Sequence, residues 1–188
     1  MRQAARVAFG LLVAALAVPA VQATTAVERT ETDLIQEAEI IVVGRVAEVR
    51  STWVDNDLVT LATVSVSETL KGAPESQVTV VLPGGIDLNR KIPIAMTFPA
   101  APELMKQENV LLFLTAEGRV VGGYSVVGFS QGKFTVVENA KGEKIATQNL
   151  SDLTLQGQNG GTRRGGAKAI SLIQLRQKVQ NLAVEKPR

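Results

Sequence analysis

The sequence predicts a mainly β protein: a small antiparallel barrel preceded by a short helix and followed by an amphipathic one. Three observations carry that expectation. Short runs rich in Val, Ile and Leu recur along the middle of the chain, separated by Gly, Asn and Pro. The clearest of them, residues 58–70, alternates Ala62, Val64 and Val66 with Thr63, Ser65 and Ser67, which is the period of a half-buried strand. No stretch between these runs is long and periodic enough for a crossover helix, so a parallel βαβ architecture is disfavoured and a barrel or sandwich is expected.

Taken in chain order, Arg2 and Arg6 precede an apolar run at 7–18, and Val21-Gln22-Ala23 supplies small residues before a cut. Residues 1–23 are therefore expected to be a signal peptide, with cleavage after Ala23 and Ala26 as second choice. Pro19 ends the run short of the roughly 20 residues a membrane span needs, so no span is expected after cleavage. A barrel domain is expected over 24–155. It opens on a helix at about 30–38, where Thr30 caps and acidic residues occupy the first turn.

Residues 40–49 form a strand apolar on both faces in its first half, with Gly44 placed for a bulge or tight curl. After 58–70, a strand at 78–82 ends at the turn Pro83-Gly84-Gly85. Residues 86–108 lack a period and contain Pro93, Pro99 and Pro102, which predicts a long loop. A buried strand resumes at 110–114, and Glu117-Gly118-Arg119 turns it into Val120 and Val121. Hairpin turns are expected at Ser130-Gln131-Gly132-Lys133 and at Asn139-Ala140-Lys141-Gly142, with the strand 134–137 between them. Residues 156–166 form a Gly-rich linker into a helix at 167–184. There Leu172, Leu175, Val179 and Leu182 make an apolar stripe that Ile170 and Ile173 widen. Docking of that helix on its own barrel is expected, with surface association as the other possibility.

Composition excludes much chemistry. The chain has no His and no Cys, so it can hold no Ser-His-Asp triad, no thiol nucleophile, no His/Cys zinc cage and no disulfide. With 5 Phe, 1 Trp and 1 Tyr, the core must be aliphatic. Charge is segregated: residues 24–162 hold 11 basic and 17 acidic residues, and 163–188 hold 7 basic and 1 acidic. Arg163, Arg164, Lys168, Arg176 and Lys178 are accordingly candidate contacts of a basic tail. An acidic, aromatic-poor body argues against nucleic acid.

Other motifs read as ordinary structure. Asp55-Asn56-Asp57 lacks the later residues of a calcium loop and fits a polar turn. Gly84-Gly85 and Gly122-Gly123 lack the helix and Lys-Ser/Thr of a phosphate loop. Ser65 and Ser67 are outward strand hydroxyls before they are members of a Ser-Lys dyad. Asp87, Glu103 and Glu108 could supply paired carboxylates, but no spacing places them in a shared cleft. No metal site and no cofactor are expected.

The runs Ala38 to Val46, Thr63 to Gly72, Val78 to Gly85 and Glu108 to Leu114 resemble, in order and turn placement, a class of bacterial exported domains whose order is similar to that of netrin-like modules. Netrin-like modules have the fold of the tissue inhibitors of metalloproteases, so the resemblance implies an OB-like barrel carrying helices. It does not carry over the inhibitory mechanism, which needs an N-terminal cysteine this chain lacks. The expectation is a non-enzymatic periplasmic or extracellular module that binds another exported protein. The surface for it is the long loop, through Ile92, Ile94, Met96 and Phe98. The alternatives are a carboxylate-based envelope glycan hydrolase and, as the resemblance implies, a protease-inhibitor-like module without the cysteine-dependent zinc-chelating mechanism.

Overall fold

The computed structural model describes residues 24–184; the expected signal peptide lies outside them. Two long strands organise the fold, β2 (Ile40–Val54) and β3 (Asp57–Lys71). The turn between them is Asp55 and Asn56 at φ of 49° and 70°, left-handed values these short polar side chains tolerate and a two-residue hairpin requires. Register shifts beside Gly44, where β3 carries one extra residue, Ser67, between the partners of Val43 and Gly44, and where β3 leaves no room for a side chain at position 44.

Around this pair the remaining strands add in the order β13-β10-β9-β7-β2-β3-β4-β8. They are β4 (Gln77–Pro83), β7 (Asn109–Ala116), β8 (Gly123–Val126), β9 (Lys133–Glu138), β10 (Lys144–Asn149) and β13 (Ala167–Ser171). The sheet is not the closed barrel the sequence predicts. One edge of β7 is shared, Val110 to Leu112 pairing with β9 and Leu114 to Ala116 pairing with β8. So β8, which also meets β4 in parallel through Thr79 and Val80, curls one end of the sheet back on β7. The other end, β9, β10 and β13, runs on as an open wing.

Both faces of the centre are buried, which is why its strands are continuous apolar runs. Ile41, Val43, Leu111, Phe113, Phe134 and Val136 face one cluster; Ile40, Val42, Val64, Val80, Leu112 and Leu114 face the other. Two helices cover the first cluster. α1 (Glu31–Glu37) is capped by Thr30 and Asp33 in a reciprocal capping box and buries Leu34 and Ile35. Lys71 Nζ closes its C-terminal end by donating to the carbonyls of Ile35 at 2.6 Å and Ala38 at 2.5 Å. α2 (Leu172–Val184) buries Leu172, Leu175 and Val179, with Leu182 packed beside them.

The C-terminal boundaries differ from expectation. Helix was predicted from 167, but Ala167–Ser171 pairs with the open edge of β10 and satisfies that edge's backbone groups first. Ile170 therefore reaches the core from a strand, and Ile173 points outward. The predicted linker is also structured. β11 (Leu153–Gln156) pairs in parallel with β1 (Thr24–Val27) and antiparallel with β12 (Thr162–Arg164), and Gly165 sits against the Leu150 carbonyl. Two turns shift as well. Val120 and Val121 stay in the turn before β8, and residues 129–132 form a short 3-10 turn rather than a hairpin.

Candidate functional site

The long segment 86–108 is not structureless. β5 (Gly85–Asp87) and β6 (Ile94–Met96) pair antiparallel within it, Asp87 opposite Ile94. The segment is pinned to the β2–β3 hairpin by polar contacts. Ser51 Oγ accepts from the Ile86 amide at 3.0 Å, and Thr60 Oγ1 donates to the Gly84 carbonyl at 2.8 Å. Asp87 is the hub: its Oδ2 accepts from Trp53 Nε1 at 2.7 Å and from Arg90 Nε at 3.0 Å, and its Oδ1 accepts from the Asn89 amide at 3.0 Å. These donors, Trp53 foremost, hold the Asp87 carboxyl below its ordinary range. The Arg90 guanidinium lies 4.6 Å over the Trp53 ring, a cation-π contact that fixes the root of the loop.

On this bracing the loop presents apolar side chains to solvent. Ile92 is 77% exposed and Leu88 72%, and Ile86, Phe98 and Met105 are also exposed. Beside them lies a groove of about 350 Å³, lined by Leu82, Ile86, Met96, Phe98, Leu104 and Met105 among others. Of the four residues singled out from the sequence, Met96 and Phe98 line this groove. Ile94 is half-buried in β6, and Ile92 stands further along the loop. Leu104 is buried in the core and anchors the far end of the segment. Ala100 and Gln107 adopt φ of 66° and 71°, left-handed values that their surroundings must enforce. Sequence reasoning missed the Trp53–Asp87–Arg90 brace. The signal that could have found it is the single Trp at an exposed hairpin end.

The carboxylates considered from the sequence are not brought together. Asp87 serves Trp53 and Arg90. Glu108 Oε1 accepts from Lys133 Nζ at 2.5 Å and Thr135 Oγ1 at 2.6 Å. Burial raises the Glu108 pKa, but those bonds outweigh it and leave the carboxyl below its ordinary range. Glu103 instead lines a second, polar cleft of about 450 Å³ with Asp152, Lys133, Thr135 and Gln148. Gln148 is buried, its Nε2 fixed on the carbonyls of Ser130, Gln131 and Lys133. Among the described residues no group of three or more acidic side chains is placed to hold a metal ion.

The basic tail folds onto the acidic body. Arg163 pairs with Glu28, Arg176 with Glu68, and both Lys168 (2.9 Å) and Lys178 (3.0 Å) with Glu31, while Arg164 Nε donates to the Ser151 carbonyl at 2.9 Å. The Arg163 bond holds Glu28, and the Arg176 bond holds Glu68, below the ordinary glutamate range. For Glu31 burial acts upward, but the two lysines prevail. Carboxylates with depressed folded-state pKa values stabilise the fold above their unfolded value, about 4.3, and lose that contribution as pH falls through the folded value. With no His to titrate, the melting temperature is expected to be nearly flat from about pH 5 to 7 and to fall below about pH 4. Thermal denaturation across that range checks this; a transition near pH 6 would contradict it.

No described helix is long and apolar enough to cross a membrane. Comparison with protein-family models, with curated proteins and with solved structures found no match to this chain.

Proposed function

We propose that this chain is an exported, non-enzymatic module, periplasmic or extracellular, that binds another protein through segment 86–107. The observation that carries this is the concentration of exposed apolar side chains on one loop that is rigidly braced rather than loose. Ile86, Leu88, Ile92, Phe98 and Met105 all lie on it, and the Trp53–Asp87–Arg90 contacts hold its root. Contiguous apolar surface on a fixed scaffold is costly to leave in water and marks interaction sites. Support for an OB-like assignment comes from the circuit β7, β2, β3, β4, β8, in which β8 returns to β7 as in a partly open five-stranded barrel. Export rests on the leader-like residues 1–23.

Met96→Ser with Phe98→Ser is expected to abolish capture of a partner from a periplasmic or secreted extract. The melting temperature should move by only a few degrees, since Phe98 is exposed and Met96 half-buried. Capture that survives in a folded double variant would refute this surface.

One observation favours the enzymatic alternative: Glu103 and Asp152 line the same polar cleft. If they act as acid and base on glycans, purified protein will cleave members of an envelope-polysaccharide panel, and Glu103→Gln will lower the rate by about a hundredfold or more. Absence of turnover across the panel removes that alternative.

A further inference from the structure

Resting on the protein-binding function proposed above, we infer that the partner presents an extended segment of alternating apolar residues flanked by Asp or Glu, which adds as a strand to β6.

The backbone argument concerns edges. In the two-stranded sheet β5–β6, β5 lies against the β2–β3 hairpin through the Ile86 amide and Asp87. No described strand pairs with the second edge of β6; because the Ile86 amide turns to Ser51, its partner Ala95 presents its own amide and carbonyl on that edge to an added chain. In an added strand every second side chain points the same way. One row would then share the face of Met96, toward the groove that Phe98 and Leu104 complete. That geometry asks for apolar residues at alternate positions.

The charge argument concerns the flanks. Among the described residues, Arg50 at the groove wall and Lys91 and Lys106 on the loop make no ion pair and no side-chain hydrogen bond. Arg90 and Asp87 neutralise each other, and Glu103 is the one unpaired acid of the segment. Of the charged residues lining the groove, Arg50 and Glu103 offset each other, so the excess positive charge of the segment is that of Lys91 and Lys106 on the loop, while the body over 24–162 is net acidic. Two copies of this chain meeting edge to edge would bring these cations together, which disfavours self-pairing. A concave groove beside an open strand edge also suits a chain with hydrogen-bonding groups better than it suits a lipid surface.

The test uses the full chain, freed of residues 1–23, and fluorescein-labelled peptides in which valine alternates with threonine. One carries glutamates at both ends, one carries lysines, and a third has the glutamates with N-methylated central amides. Fluorescence anisotropy should show the acidic peptide binding about tenfold or more tighter than the basic one. N-methylation should remove binding, and added salt should weaken it. The triple variant Arg50→Ala, Lys91→Ala, Lys106→Ala should lose the preference for acidic flanks without losing its melting temperature. Equal binding of acidic and basic peptides, or no binding while Phe98-dependent capture from extract persists, overturns this inference and leaves the protein-binding function standing. If the unmodified protein captures no partner from extract, or captures it equally well without the Phe98 ring, the function itself is overturned. Co-sedimentation with phosphatidylglycerol vesicles that the triple variant abolishes, in place of peptide binding, overturns the inference in favour of a membrane. A dimer by analytical ultracentrifugation that persists in the presence of the acidic peptide overturns it in favour of a second copy.

Discussion

Phe113→Ala is expected to lower the unfolding free energy by about 3–5 kcal/mol, a large share of the roughly 5–15 kcal/mol that holds a domain folded. Phe113 is fully buried on β7, the strand that pairs with β2, β8 and β9, and it faces the cluster covered by α1 and α2. Its ring centroid lies 5.9 Å from that of Phe134 at an interplanar angle of 54°. Apart from Phe134 that cluster is built mainly of Val, Leu and Ile, none of which has the volume to fill the space Phe113 would vacate. The melting temperature should drop by about 10 °C. Val137→Ala, on the exposed side of the adjacent strand, should change stability by less than about 0.5 kcal/mol. Equal melting of the two variants would mean that the helices do not cover this face.

Gly44→Ala is expected to cost about 1–3 kcal/mol, though it adds a single methyl group. A Cβ at position 44 would lie 2.4 Å from the Ser65 carbonyl oxygen and 2.8 Å from Val64 Cγ1. The first obstacle is backbone, so relief requires β2 and β3 to separate or slip where their register already shifts. Gly118→Ala is the control, since a methyl group there meets nothing within 4 Å. Hydrogen exchange should show faster opening of amides near Val43 and Val66 in the first variant and no change in the second. If both behave alike, the pairing beside Gly44 is looser than its geometry implies.

The strands that were legible in the sequence are those whose own residues need burial. β2, β3, β4, β7 and β9 carry apolar side chains on one or both faces, and Gly44, Asp55-Asn56 and Asn139 to Gly142 mark their irregularities and turns. Thr30 and the acidic residues after it give α1 for the same local reason. The strands that were not legible exist because a neighbour's edge is open. Thr162–Arg164 has three exposed side chains, and Ala167–Ser171 is held by pairing to β10. Their backbone groups, not their side chains, decide their conformation, and sequence pattern carries little of that. The candidate loop was found because Ile92, Ile94, Met96 and Phe98 are apolar without a strand signal, yet Ile94 and Met96 do lie in a strand. Its brace could not be read, because Trp53 and Asp87 are 34 positions apart.

The parallel pairing of β1 with β11 carries a consequence in time. Thr24 waits for Leu153, Ile145 waits for Ser171, and the face around Phe113 and Phe134 stays wet until α2 has been made. A chain emerging from the ribosome cannot reach this arrangement step by step, since its closing contacts come from residues 153 to 182. Folding should therefore be slow, on the order of milliseconds to seconds, and should begin in earnest only once α2 has left the ribosome.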